Sequence, residues 1–275
     1  ATKRKNDLSD FDCKIVNSRH GIIEVTNHHN MLDRNQEKVK TRDVVEGSKL
    51  LHGSFPIGKS ISCVSITEAT FLGMMVGDGY VSKDGKRGQF SNNSDELIKE
   101  IENLWTKISL GFTTIREFKT EYGKIRQVIL NGNHEYLRLI RNEIYTSDSF
   151  KKVPDKILNA DKETQLAFLR GYNLTDGLKS NNCTYEFKGF KTNSIVLAQG
   201  LLFLISQTTN QDFNITFEED ENNYGYYSIN ILSPVNNLLK EEKVRELIGV
   251  GMSQREISRV SGISRTFIRK LQQGG

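Results

Sequence analysis

The alternation of apolar and polar positions marks out a chain of several segments. Residues 14–16 and 22–26 read as short strands parted by a turn at 17–21, and 38–45 is an extended run before a Glu46-Gly47 turn, with Leu50-Leu51 after it. No long helical period precedes residue 65. There Ser65 stands three residues before Glu68, the spacing of a reciprocal N-terminal cap, and a helix is predicted from it to about Gly77. A strand at 89–92, a helix at 95–108, a hairpin of 113–119 with 125–131 around Glu121-Tyr122-Gly123, and a helix at 134–144 follow. The order then recurs: helix 162–175, strand 184–187, helix 194–207, and a hairpin of 213–218 with 226–232.

Aligning Asp78 with Asp176 brings Ala69 onto Ala167, Gly73 onto Gly171 and Gly79 onto Gly177. In the first helix Ala69, Gly73 and Gly77 lie four apart, and in the second Ala167, Gly171 and Thr175 do the same, so each set shares one face. An interior helical Gly costs about 1 kcal/mol relative to Ala. Two such stripes point to helix backbones packed closely against each other. Each stripe ends in Asp-Gly, which sets a carboxylate at the negative end of the helix dipole. Side by side, Asp78 and Asp176 call for a positive partner. A hard divalent cation with oxygen ligands meets that need and suits phosphodiester hydrolysis.

Composition narrows the class. With 36% hydrophobic and 26% charged residues and only three prolines, the 275-residue chain has the make-up of a folded, soluble protein. No apolar run approaches the ~18 residues of a membrane span. The best one, 195–205, is broken by Gln199, and no signal peptide is read, so an intracellular protein is expected. Cys13, Cys63 and Cys183 are far apart and form no zinc or disulfide pattern. The formal charge of +4 lies wholly in the last 36 residues, where eight basic side chains face four acidic ones.

The two motifs, FLGMMVGDG at 71–79 and FLRGYNLTDG at 168–177, resemble the paired helices of LAGLIDADG homing endonucleases in their single-chain, two-repeat form. The resemblance spans roughly residues 65–239 and departs from the common pattern at Asn173-Leu174-Thr175. It implies that Asp78 and Asp176, with Gly77 and Thr175 beside them, hold Mg²⁺ (or Mn²⁺). It further implies that each half cuts one strand of a long, asymmetric double-stranded DNA site across the minor groove, leaving short 3′ overhangs. The family also places a polar or basic residue near the attacking water, here Ser91 in one half and Lys191 in the other. Arg116, Arg126, Gln127, Tyr185 and Lys188 are the expected DNA contacts of the sheets.

The ends add two further resemblances. GIIEVTNHHNML followed by VKTRDVVEGSKLL is similar to part of an intein Hint domain, with Thr26 and His29 at its T-x-x-H positions and Asp43, Gly47 and Leu50 in the later turn. Splicing is not expected, because the chain starts at Ala1 and lacks a terminal His-Asn. Residues 242–248, 254–260 and 265–271 read as three helices, and QREISRVSGISRTFIRKL resembles a helix-turn-helix. Its core would be Ile257, Val260, Ile263 and Ile268, and Arg265, Thr266, Arg269 and Lys270 would face a major groove.

The expectation is therefore an α+β chain of four parts. These are a partial Hint-like β segment (1–60), two pseudo-symmetric αββαββα repeats (61–150 and 151–239), and a three-helix DNA-binding module (240–275). It would act as a monomeric, metal-dependent, site-specific endonuclease with no membrane partner. A DNA-binding regulator or RNA maturase on the same scaffold, or a protein-splicing element, are the rival readings.

Overall fold

Two short hairpins come first. β1 (Cys13–Ser18) pairs antiparallel with β2 (Gly21–Thr26), and β3 (Asn30–Leu32) with β4 (Lys38–Lys40). The extended run expected to reach residue 45 stops at Lys40. Thr41 turns inward, wholly buried, and its N–H and hydroxyl both donate to the His29 carbonyl, bending the chain into a 3-10 turn at Thr41–Asp43. The computed structural model describes residues 13–18, 21–51, 64–120, 123–178, 186–209, 211, 213–219, 221, 225–231, 237–261 and 263–273.

The first repeat is complete: α1 (Ile66–Gly77), β5 (Gly79–Val81), β6 (Gly88–Asn92), α2 (Asp95–Ser109), β7 (Phe112–Thr120), β8 (Gly123–Asn131) and α3 (His134–Ile144). Its antiparallel sheet runs β5-β6-β8-β7. Ser65 caps α1 by accepting from the Glu68 N–H at 3.1 Å. The Glu68 carboxylate turns to the Tyr136 hydroxyl (3.0 Å) and the Lys156 ammonium (2.7 Å), tying α1 to α3 and to the start of the second repeat.

The second repeat contains α4 (Asp155–Leu158), α5 (Lys162–Asp176), β9 (Gly189–Thr192), α6 (Ile195–Thr208), β10 (Phe213–Glu219) and β11 (Gly225–Ile231). Its sheet runs β9-β11-β10, and Gly177 bridges Phe190 just as Gly79 pairs with Phe90 in the first half. The strand expected at 184–187 is at 189–192 instead. Residues 184 and 185 lie outside the described residues, and Phe187 is drawn into the core at 1% exposure rather than paired in a ladder. Among the described residues of this unit, no helix after β11 matches α3.

A single apolar cluster joins the N-terminal hairpin, both repeats and their helices, from Ile22 to Ile231. From Phe71 onward α1 is apolar on every side because every side is covered, with Phe71, Leu72, Met74, Met75 and Val76 fully buried. Gln199, the polar break in the apolar run of α6, donates to the Ile22 carbonyl at 2.9 Å and fastens the N-terminal hairpin to the second repeat.

The chain divides into two compact units, Ala1–Leu232 and Ser233–Gly275. The second holds α7 (Asn237–Gly249), α8 (Gln254–Ser261) and α9 (Arg265–Gln273) around Val244, Ile257, Ile263 and Ile268. Val260 is 58% exposed and does not belong to this core; Val244 of α7, a helix that begins before residue 242, supplies the fourth buried side chain. Ser253 and Glu256 form a reciprocal cap at the start of α8.

Candidate active site

α1 and α5 pack main chain to main chain. A Cβ placed on Gly73 would overlap the Phe168 carbonyl oxygen and lie 2.8 Å from the Tyr172 nitrogen. One on Gly171 would overlap the Thr70 carbonyl oxygen, and one on Gly77 would overlap the Thr175 hydroxyl. The small-residue stripes therefore face each other, and the two helices end side by side.

That ending assembles the site. Asp78 is the C-cap of α1, and Asp176 is the last residue of α5. Burial and the neighbouring Asp78 charge push the Asp176 carboxyl above the usual carboxylate range, and the Lys151 ammonium opposes them. Asp176 is open to solvent at the end of α5. Asp78 is held from the side: the Asn92 amide donates to its Oδ2 at 2.6 Å. In the second half the equivalent Thr192 hydroxyl accepts from the Ser194 N–H at 3.1 Å.

Lys151 is the group that the sequence did not announce. It follows α3, is set by a bridge between Tyr145 and Lys151, and has its carbonyl fixed by the Ser194 hydroxyl at the start of α6 at 2.6 Å. Its Nζ donates to the Gly77 carbonyl, and burial pulls it down to about 8 against the opposing pull of Asp176 and Asp78. Nearby, the Tyr172 hydroxyl is buried without a hydrogen-bond partner, and burial with the two aspartate charges pushes it above its ordinary value.

Each aspartate heads a polar row crossing its own sheet. The Ser91 N–H donates to the Asp78 carbonyl, Ser91 pairs with Gln127, and Gln127 with Arg116. In the second half the Gly177–Phe190 bridge puts Asp176 opposite Lys191, which pairs with Ser228, and Ser228 with Thr216. Residues paired across an antiparallel ladder share a face, so the rows are equivalent. Lys191 leans along its sheet, 3.4 Å from the Tyr226 hydroxyl and 3.7 Å from Glu218.

Residues 66–157 match the LAGLIDADG-like domain. The match covers the first repeat and reaches the start of the second. A DNA polymerase of Acanthamoeba polyphaga mimivirus is 27% identical over 217 residues, 74% of this chain; the chain spans only 12% of that relative's length. Among solved structures, the homing endonuclease I-DmoI in complex with DNA and Mn shares 17% identity, over 60% of this chain and 88% of that one, at a TM-score of 0.40. Full-length DUF199/WhiA from Thermatoga maritima shares 14% identity, over 78% and 92% of the two chains, also at 0.40.

The other expected residues fall in several places. Arg116 is exposed on the same face as Gln127. Arg126 lies on the face opposite Gln127, because successive strand residues point to opposite faces, and its guanidinium is ion-paired with Asp95 and, at 3.0 Å, with Glu117. Lys188 is exposed, and Tyr185 lies outside the described residues. In the second unit Arg265, Thr266 and Arg269 are exposed on α9, while the Lys270 side chain is outside the described set. Thr26 ends β2, and its carbonyl accepts from the His29 N–H at 2.9 Å, leaving His29 exposed on a turn.

The donors at the helix ends are hard oxygens: two carboxylates and the main-chain carbonyls of Gly77 and Thr175. That set fits Mg²⁺, Mn²⁺ or Ca²⁺. No cluster of three or more His, Cys, Asp or Glu side chains forms among the described residues. A hard cation here would therefore complete its shell with water or substrate oxygens, as Mg²⁺ commonly does.

Proposed function

We propose that the chain is a site-specific endonuclease of double-stranded DNA, of the LAGLIDADG homing type, that hydrolyses phosphodiesters with a divalent metal held by Asp78 and Asp176. The observation that carries this reading is the pair of aspartates closing two helices packed at glycine, each heading an equivalent row across its own sheet. A bound metal supplies Lewis-acid polarisation of the scissile phosphate and a more acidic water. The residues do the rest. Asp78 and Asp176 hold the cation, Asn92 fixes the rotamer of Asp78, and Lys151 brings a positive charge toward the phosphate from beside Gly77. Ser91 and Lys191 stand at corresponding places where water or a phosphate oxygen is oriented, one neutral and one charged, so the two strands should be cut at unequal rates.

Arg116 and Gln127 supply phosphate and base contacts in the first half, with Lys188 serving the second. Unlike side chains in the two rows suit an asymmetric target read by a monomer. Cleavage of a plasmid library in Mg²⁺ or Mn²⁺ tests the proposal; binding without any specific double-strand cut would instead favour the regulator or maturase reading. The N-terminal segment is taken as a Hint remnant, on its strand ending at Thr26 and the turn to His29.

Lys151→Met is expected to slow cutting about 10²-fold with duplex affinity nearly unchanged, since a charge aimed at the reacting phosphate acts chiefly in the transition state. Metal-free stability offers a second readout. The folded pKa of Lys151, about 8, lies below its ordinary 10.5. The unfolded chain thus holds more protons between these values, and stability should rise with pH across that window. Lys151→Met should flatten the rise.

The second unit is proposed as a helix-turn-helix module, with α9 presenting Arg265, Thr266 and Arg269. Removing residues 233–275 should weaken duplex binding and flatten its salt dependence, the log–log slope falling by about 0.9 for each phosphate no longer neutralised. Cutting at saturating protein should persist. Loss of metal-dependent cutting on a bound site would contradict this division of labour.

A further inference from the structure

A cavity of about 360 Å³ lies beside the first sheet, outside the aspartate site. Lys83 of the β5–β6 turn, Arg141, Asn142 and Tyr145 at the C-terminal end of α3, and the loop at 146–149 form its walls. Its central feature is electrostatic. Arg141 is only 9% exposed, yet its guanidinium is met by neutral groups. It donates to the Val81 carbonyl at 3.0 Å and the Ser149 hydroxyl at 2.8 Å, and lies 3.7 Å above the centre of the Tyr145 ring. None of the ion pairs among the described residues includes it. Burying a cation without a counter-charge is costly, and the cost is relieved when an anion enters.

The rim adds to the case. Lys83 stands at the mouth on a turn in which Gly85 adopts φ +66° close against Arg138. The nearest acid in that turn, Asp84, is engaged by the Ser82 hydroxyl at 2.6 Å and the Lys86 N–H at 3.1 Å. Asp148, on the loop, does not line the cavity. Ser149 adopts φ 68°, a conformation that non-glycine residues take at a cost and that recurs at binding sites. Two cationic residues, an asparagine and the hydroxyl residues Thr146, Ser147 and Ser149 thus line one hollow without a carboxylate.

We propose that this cavity binds a phosphate group. Guanidinium, ammonium and hydroxyl donors on one concave wall match its charge and its several acceptor oxygens. Two sources share that chemistry, the backbone of bound DNA and a free phosphorylated compound. The same loop runs into Lys151 through the Tyr145–Lys151 bridge, so occupancy would firm the segment that carries Lys151.

The test uses the full chain without divalent metal. Thermal unfolding in inorganic phosphate is compared with chloride of equal ionic strength. A rise of about 3 °C is expected at ten times the dissociation constant. Lys83→Ala combined with Ser147→Ala alters only exposed side chains, so its midpoint in chloride should be unchanged while most of the phosphate shift disappears. Arg141→Met should abolish the shift if it folds; the double variant decides the matter if it does not. An equal midpoint in phosphate and chloride, or a full shift in the double variant, overturns the proposal. Asp78→Asn must keep the shift, which separates this site from the nuclease reading. Displacement of phosphate by a short duplex, followed by ³¹P line width, assigns the site to the DNA backbone; no displacement assigns it to a free phosphate compound.

Discussion

Asp78→Asn and Asp176→Asn are each expected to slow DNA cleavage by on the order of 10³-fold while duplex affinity changes only a few-fold. A catalytic cation contributes several kcal/mol of charge stabilisation in the transition state, and each 1.36 kcal/mol is a factor of ten in rate. Single-turnover cutting with a filter-binding control separates the two quantities; unchanged cutting in both variants would remove Asp78 and Asp176 from the metal-holding role. Stability gives an independent check. The carboxyl of Asp176 is raised above its ordinary pKa by burial and by Asp78. A raised acid favours the folded state most when protonated, so its contribution is fully present below the unfolded pKa and is lost as pH rises through the folded one. At neutral pH the site is therefore strained by charge. Adding Mg²⁺ should raise the unfolding midpoint of the parent protein. Asp176→Asn should begin with a higher metal-free midpoint and gain little from the metal.

How much of this was legible in the sequence depends on which interactions place each group. The approach of α1 and α5 is a main-chain property, written as Gly73, Gly77 and Gly171 at helical spacing, and both aspartates follow from where those helices stop. The hairpins and the order of the first repeat were legible for the same local reason, whereas the strand expected at 184–187 lies at 189–192. Lys151 was not, because its position is fixed by distant partners: the bridge to Tyr145, the hydroxyl of Ser194 and the carbonyl of Gly77. In the sequence it is one of two adjacent lysines before a valine and a proline. Asn92 was hidden similarly, since one side chain both serves Asp78 and accepts from the Ser94 N–H at 2.8 Å. The face that Arg126 takes could be read locally. With Gln127 on the row of Ser91 and Arg116, strand alternation already sends Arg126 to the other face.

Gly73→Ala and Gly171→Ala should each destabilise the protein by about 3 kcal/mol, a typical upper value for forcing extra volume into a packed interior. The sign is the informative part. In an isolated helix Gly→Ala is worth about 1 kcal/mol of added stability. Here the new methyl would overlap the carbonyl of Phe168 or of Thr70, and a main-chain carbonyl cannot rotate away as the end of a side chain can. Relief requires α1 and α5 to separate. Gly249→Ala is the control: nothing lies within 4 Å of a Cβ there, so it should be neutral or mildly stabilising. Denaturant unfolding of the three variants distinguishes backbone packing from helix propensity, and a gain in stability at Gly73 or Gly171 would show that the helices are not pressed together. Function should follow packing. Moving the helices apart moves Asp78 from Asp176, so variants that still fold should lose both their cutting and the stabilisation by Mg²⁺, and more metal should not restore either. The same glycines thus set the distance between the carboxylates and the strength of the central interface, so the geometry of the aspartate pair cannot be relaxed without weakening the fold.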